Sequence, residues 1–247
     1  MLYIILLTSL VIFFTFGAIA GVKQTKRMLK SEMDEKSRIQ HYATITFSMW
    51  VPIIALFFVI IFSDITPADV GFSPLSFDLN IAVTITVLVA ALIFILYCLY
   101  RIIAFLVSAN HRRHRNIILE QKASGKDYYD LVDSRLMTPK TKNEKRWWLG
   151  VSLTTGICEE IIFRGFFIFL ISQIFPNMSI YFVLVIAVVL FGLGHFYQGI
   201  KGLILTTLMG AFLASVYIVS GSLIIVIAMH FLTNFANAFE YSSDIAH

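Results

Sequence analysis

Seven apolar runs, at residues 2–22, 42–62, 79–107, 149–175, 179–195, 203–219 and 222–239, constrain this chain more than any other feature of it. A bilayer's hydrocarbon core takes about 20 residues of helix to cross, and backbone polar groups inside it must be satisfied within the segment. Runs of this length predict an all-α, polytopic membrane helix bundle of about seven transmembrane helices. Composition agrees: 58% of the residues are hydrophobic and the mean hydropathy is +0.83, which removes the soluble globular classes.

The loops set an expected orientation. Residues 23–41 contain six Lys or Arg, residues 63–78 contain three Asp and no basic residue, and 108–146 is again strongly basic. By the positive-inside rule, this is a multi-pass protein of the cell membrane with its N-terminus outside and its C-terminus cytoplasmic. The first run lacks a basic leading segment and is followed by Lys23, Lys26, Arg27 and Lys30, so it reads as a retained anchor rather than a signal peptide. The net charge of +4 resides in these loops, where topology explains it, and no nucleic-acid partner is expected. His111 and His114 stand three apart, but Arg112, Arg113 and Arg115 around them would repel a metal ion. Trp147 and Trp148 suit an interfacial anchor, and Pro52 is expected to kink the second helix. The expected division is residues 1–146, three transmembrane helices with a basic cytoplasmic loop at 108–146, and residues 147–247, the half that carries the chemistry.

From Trp147 to Phe239 the only charged residues are Glu159, Glu160, Arg164 and Lys201. A charge at the bilayer centre costs about 2.5 to 3.5 kcal/mol even on lenient scales, so such residues pair or act. At about 100° per residue, Glu160 and Arg164 share a helix face, whereas Glu159 points about a quarter-turn away and lacks a local partner. Two more polar pairs follow on later runs: Phe191 with His195, and His230 with Asn234, each four apart. A carboxylate, two imidazoles and a carboxamide are the parts that activate a water and stabilise a tetrahedral oxyanion. In that scheme Glu159 is the base, His195 assists it, and His230 and Asn234 donate hydrogen bonds to the oxyanion. The bland alternatives are a buried ion pair that locks helices together and histidines that only pack.

Other hydrolytic chemistries fit worse. The chain has no Gly-x-Ser-x-Gly and no His-Glu-x-x-His, and no Asp lies within an apolar run. The two cysteines, Cys98 and Cys158, sit in apolar runs, which excludes a disulfide framework, and carboxylates beside Cys158 disfavour the thiolate that a Cys158, His195, Asn234 triad needs. A zinc site of Glu159, His195 and His230 with an open fourth position is the alternative to metal-free catalysis. Without a metal motif of the usual spacing, no cofactor is expected.

Glu-Glu-x-x-x-Arg, Phe-x-x-x-His and His-x-x-x-Asn, in this order on successive apolar runs, resemble the CPBP family of membrane proteases (Abi, or CAAX protease and bacteriocin-processing). The resemblance covers about residues 147–239, making 147–247 a catalytic CPBP/Abi-like core. It implies intramembrane proteolysis: Glu159 activates water with His195, Glu160 and Arg164 complete the first motif, Phe191 supports the second, and His230 and Asn234 hold the oxyanion. The implied partner is a membrane-associated peptide or protein substrate, such as a leader, bacteriocin or pheromone precursor, met in the lipid bilayer. Two non-proteolytic readings compete: a non-catalytic regulatory membrane scaffold on the same fold, and an ion-coupled transporter or proton relay, for which the expected inverted repeat is not evident. No motif in residues 1–146 bears on substrate choice, and the sequence leaves the oligomeric state open.

Overall fold

The computed structural model describes residues 1–30, 34–73, 81–107 and 139–240. Among these residues the chain forms seven helical rods and no strand beyond one isolated bridge, Phe72 to Ser222, as the apolar runs predict. The first three are α1 (Leu2–Lys30), α2 (Glu35–Ile61) and α3 (Ile81–Val107). The fourth rod is composite: α4 (Lys142–Glu160) passes into a π-helical segment (Ile161–Phe167) and on into α5 (Ile168–Ile174). Then come α6 (Ile180–Gly194), a 3-10 turn (Phe196–Gln198), α7 (Gly199–Ser220) and α8 (Leu223–Glu240). The expected basic segment with His111 and His114 falls within residues 108–138, outside the described residues.

Among the described residues four stretches, Leu2–Lys26, Glu35–Ile61, Ile81–Ile103 and Phe196–Ser220, are long and apolar enough to cross a membrane, whereas Ile180–Gly194 and Leu223–Asn237 are apolar but shorter. Short helices of this kind suit a site held in the membrane, because their ends bring polar groups below the surface. The fourth rod was expected to begin with its apolar run at Leu149, but it begins at Lys142. Thr141 and Glu144 supply the reason as a capping box: the Thr141 hydroxyl accepts from the Glu144 N–H, and the Glu144 carboxylate accepts from the Thr141 N–H. At the other helix start, Asp34 accepts from the Ser37 N–H at 2.9 Å and caps α2.

These two helix starts are tied to each other. Glu144 is fully buried and takes the Arg38 Nε–H at 2.7 Å, and the Thr141 hydroxyl donates to Glu35 at 3.0 Å. The start of α2 and the start of α4 therefore lie at one end of the bundle. At the opposite end the Leu223 N–H donates to the Gly71 carbonyl at 3.1 Å, joining the turn after α2 to the turn before α8. This is the relative placement that alternating spans require.

Packing puts the fourth rod at the centre, with α2 and α8 beside α4 and α1 against α5 and α6. One buried cluster joins Leu10 of α1 and Leu56 of α2 to Ile162, Phe163, Phe166 and Phe167 of the π-helical segment and Phe191 of α6. Phe14 of α1 meets Phe163 at 4.8 Å between ring centroids. A second cluster joins Ala91 of α3 to Leu213 and Val216 of α7 and to Val226 and Met229 of α8. Residues before and after position 146 thus share their cores. Large apolar side chains, including Phe47, Phe58, Tyr100 and Phe182, cover the outer surface, where lipid would meet them. Between α6 and α7 the backbones approach so closely at Gly192 that an added Cβ would lie 2.0 Å from the Thr207 hydroxyl oxygen.

The Arg38 to Glu144 pair yields a stability prediction, because removing one partner strands the other buried charge at a cost of about 3 to 5 kcal/mol. Arg38→Ala should lower stability in detergent by that order. The double variant Arg38→Met with Glu144→Gln, which keeps the cap, should recover much of the loss. Unfolding curves of the three proteins check this, and an unchanged midpoint for Arg38→Ala would show that the pair does not stabilise the fold.

Candidate active site

Three buried ionisable side chains meet where α4 turns into the π-helical segment: Glu159 (4% exposed), Glu160 (0%) and Arg164 (2%). The expected Glu160 to Arg164 pair is present, with Arg164 Nη1 donating to Glu160 Oε1 at 2.8 Å. Its setting is more specific than one helix face implies, because Arg164 lies in the wider coil of a π-helix, a rare element that is frequent at functional sites. The second arm of Arg164, Nη2, donates to the Gly210 carbonyl of α7 at 2.9 Å, and its guanidinium lies 4.6 Å over the Phe191 ring of α6. His230 of α8 completes the group, with Nδ1 at 2.6 Å from the same Glu160 oxygen. Phe191 thus supports the site in two ways, since its carbonyl also lies 2.8 Å from His195 Nδ1.

The hydrogen bonds assign both histidine tautomers. A backbone carbonyl has no proton to give, so His195 Nδ1 must carry the hydrogen it shares with Phe191. With Glu160 paired to Arg164 as a carboxylate, His230 Nδ1 is the donor in the contact between them. A ring that carries its hydrogen on Nδ1 alone has Nε2 as a lone-pair acceptor. Both Nε2 atoms face one oxygen, Glu159 Oε2, at 3.7 Å from His195 and 3.9 Å from His230, too far for direct hydrogen bonds. That oxygen is buried and receives no hydrogen bond among the described residues. Three acceptors converge on one region, and a small donor such as water satisfies such an arrangement. His195 has the most open side chain of the three, 14% exposed against 8% for His230 and 6% for Glu159.

The same atoms have the chemistry of a zinc ligand set, but among the described residues no group of three His, Cys, Asp or Glu side chains is arranged to hold a metal ion. Cys158 is a free thiol with 0% exposure, as expected of a packing residue.

His230 and Asn234 were expected side by side as oxyanion donors. Both do face α4 from α8, but on successive turns and with partners already engaged. His230 Nδ1 is held by Glu160, while Asn234 Nδ2 donates to the Thr155 hydroxyl at 2.9 Å, one turn before Glu159. The Trp148 indole N–H, expected to be only an interfacial anchor, donates to the Asn234 carbonyl at 2.8 Å. α4 and α8 come this close because Gly156 faces Phe231, where an added Cβ would lie 3.1 Å from the backbone nitrogen. Sequence reasoning missed Thr155 and the Gly210 carbonyl. Thr155 had a signal, a hydroxyl four residues before Glu159 in an apolar run; a backbone carbonyl has none.

Comparison with known proteins bears on these rods. Residues 142–236 match the family model described as type II CAAX prenyl endopeptidase Rce1-like. No curated protein and no solved structure matches the chain significantly. The matched segment opens on the first residue of α4 and takes in Glu159, Glu160, Arg164, Phe191, His195, His230 and Asn234, the side chains that geometry gathers around the π-helical segment. The rods that build this cluster thus match an Rce1-like domain of the CAAX protease family.

Proposed function

We propose that this protein is an intramembrane endopeptidase in which Glu159, assisted by His195, deprotonates a water that attacks the carbonyl carbon of a peptide bond. The observation that carries this reading is the convergence of Glu159 Oε2 with the two Nε2 lone pairs, none of which is directly hydrogen-bonded to another. The water's proton passes to Glu159 or His195 as the new C–O bond forms. The carbonyl oxygen gains the negative charge and meets donors from α8, the second N–H of Asn234 and, when its Nε2 carries a proton, His230. Collapse of this intermediate breaks the C–N bond, and the stored proton goes to the departing amine.

The chemistry lies within the membrane. Glu159 is twelve residues beyond Trp147, about 18 Å along the helix at about 1.5 Å per residue. Substrates are accordingly membrane-associated peptides or proteins, with leader, bacteriocin or pheromone precursors as the class the motif resemblance favours. Charge supports the orientation. The end of the bundle with the starts of α2, α4 and α7 carries Lys36, Arg38, Lys140, Lys142, Lys145, Arg146 and Lys201, and the opposite turn carries Asp64 and Asp69. The basic end is cytoplasmic, with the N-terminus outside.

Four outcomes are expected. Glu159→Gln should fold with nearly unchanged thermal stability and lose at least about a hundredfold in single-turnover cleavage of a membrane peptide. Glu160→Gln and Arg164→Ala should each destabilise the protein by about 3 to 5 kcal/mol, since each strands a buried partner. Full turnover by Glu159→Gln in purified protein would overturn the proposal. Exhaustive chelation should leave cleavage unchanged, whereas loss on stripping with recovery on added zinc would assign Glu159, His195 and His230 to a metal. Finally, in protein with Cys98 and Cys158 replaced by Ala, a cysteine at position 69 should react with an impermeant thiol reagent in intact cells, and one at position 201 only after permeabilisation. The reverse pattern would invert the orientation.

A further inference from the structure

The Thr155 hydroxyl stands 2.9 Å from the Val151 carbonyl oxygen, and 3.4 Å from that of Ser152. Two oxygens at 2.9 Å repel unless a hydrogen lies between them, and a carbonyl brings none. The single proton of Thr155 is therefore committed to its own helix, and toward α8 the hydroxyl offers only lone pairs. Asn234 stands 2.9 Å away on that side. Its carboxamide has one face that donates and one that accepts, and only the donating NH2 can meet an acceptor. The backbone of the same residue is held independently, by the Trp148 indole on its carbonyl. Asn234 thus has a fixed main chain and a fixed amide rotamer, with one N–H spent on Thr155 and the second available.

We infer that Thr155 is a positioning residue for the reaction proposed above: its backbone-committed hydroxyl orients Asn234 so that an N–H, not a carbonyl oxygen, faces the oxyanion. The inference rests on that reading of Asn234 as a donor. It assigns work to a residue outside the three motifs and explains why a polar side chain is buried one turn before the catalytic glutamate. An amide free to flip would present its oxygen for part of the time, and an oxygen there repels the developing negative charge. Preorganisation of this kind acts on the transition state and not on substrate binding, so its loss lowers kcat and leaves KM.

The test uses full-length protein in detergent micelles with a quenched membrane peptide. Thr155→Val keeps the shape of the side chain and removes the acceptor. It should lower kcat about tenfold, less than the hundredfold or more expected for deleting an oxyanion donor outright, with KM within about twofold and an unchanged melting temperature. Thr155→Ser, which keeps the hydroxyl, should restore the rate to within about threefold. In an Asn234→Ala background, Thr155→Val should have no further effect, because the side chain it positions is gone. A Thr155→Val enzyme with full kcat, a loss that follows stability or KM, or equal losses with and without Asn234 would overturn the inference while leaving the endopeptidase intact. An Asn234→Ala enzyme with full activity would also overturn it, by removing the donor role that Thr155 serves, and would still leave Glu159 as the base.

Discussion

A single buried carboxylate, that of Glu160, holds the arrangement together. One of its oxygens takes both Arg164 and His230, at 2.8 and 2.6 Å. Through Arg164 the tie extends to the Gly210 carbonyl of α7 and the Phe191 ring of α6, and through His230 to α8. Four rods therefore meet at one ion pair. In a low-dielectric interior an isolated guanidinium is prohibitive, and so is an isolated carboxylate; paired, and with Arg164 also bonded to the Gly210 carbonyl, they are tolerated and specify one register. The site is consequently inseparable from the fold, because the interaction that neutralises the intramembrane charge is also the one that sets the His230 tautomer.

Glu159 differs from its neighbour in having no such tie. Adjacent on the same helix and chemically identical, the two carboxylates diverge because α8 and the π-helical segment close around Glu160, while Glu159 meets only two imidazole lone pairs at 3.7 and 3.9 Å. A carboxylate left short of donors is suited to taking a proton from a water, and one held by a guanidinium and an imidazole is suited to holding structure. The asymmetry is also why a metal-ligand reading and a water-activating reading use the same three side chains, and why chelation discriminates between them.

The helices before the matched domain are part of its packing. α1 lines the π-helical segment through Leu10 and Phe14, α2 is latched to the start of α4 through Arg38, and α3 shares the cluster that seats α7 and α8. Substitutions in these helices are therefore expected to reach the site through rod positions and not through contact with the reacting groups.

Much was legible in the sequence because it depends on local periodicity. Apolar runs of membrane length specify helices, since unpaired backbone is too costly in lipid, and their spacing specifies alternation. The i,i+4 rule specifies that Glu160 can reach Arg164, that Phe191 and His195 share a face and that His230 and Asn234 share another. What periodicity does not contain is which faces meet. Only the tertiary structure decided that His230 turns to Glu160, that Asn234 is held by Thr155 and Trp148, that Arg38 finds Glu144 across 106 positions and that the central rod widens into a π-helix after Glu160. These depend on rotations and offsets between rods, set by close approaches such as Gly156 on Phe231 and Gly192 on Thr207, and no single helix encodes the surface it will meet.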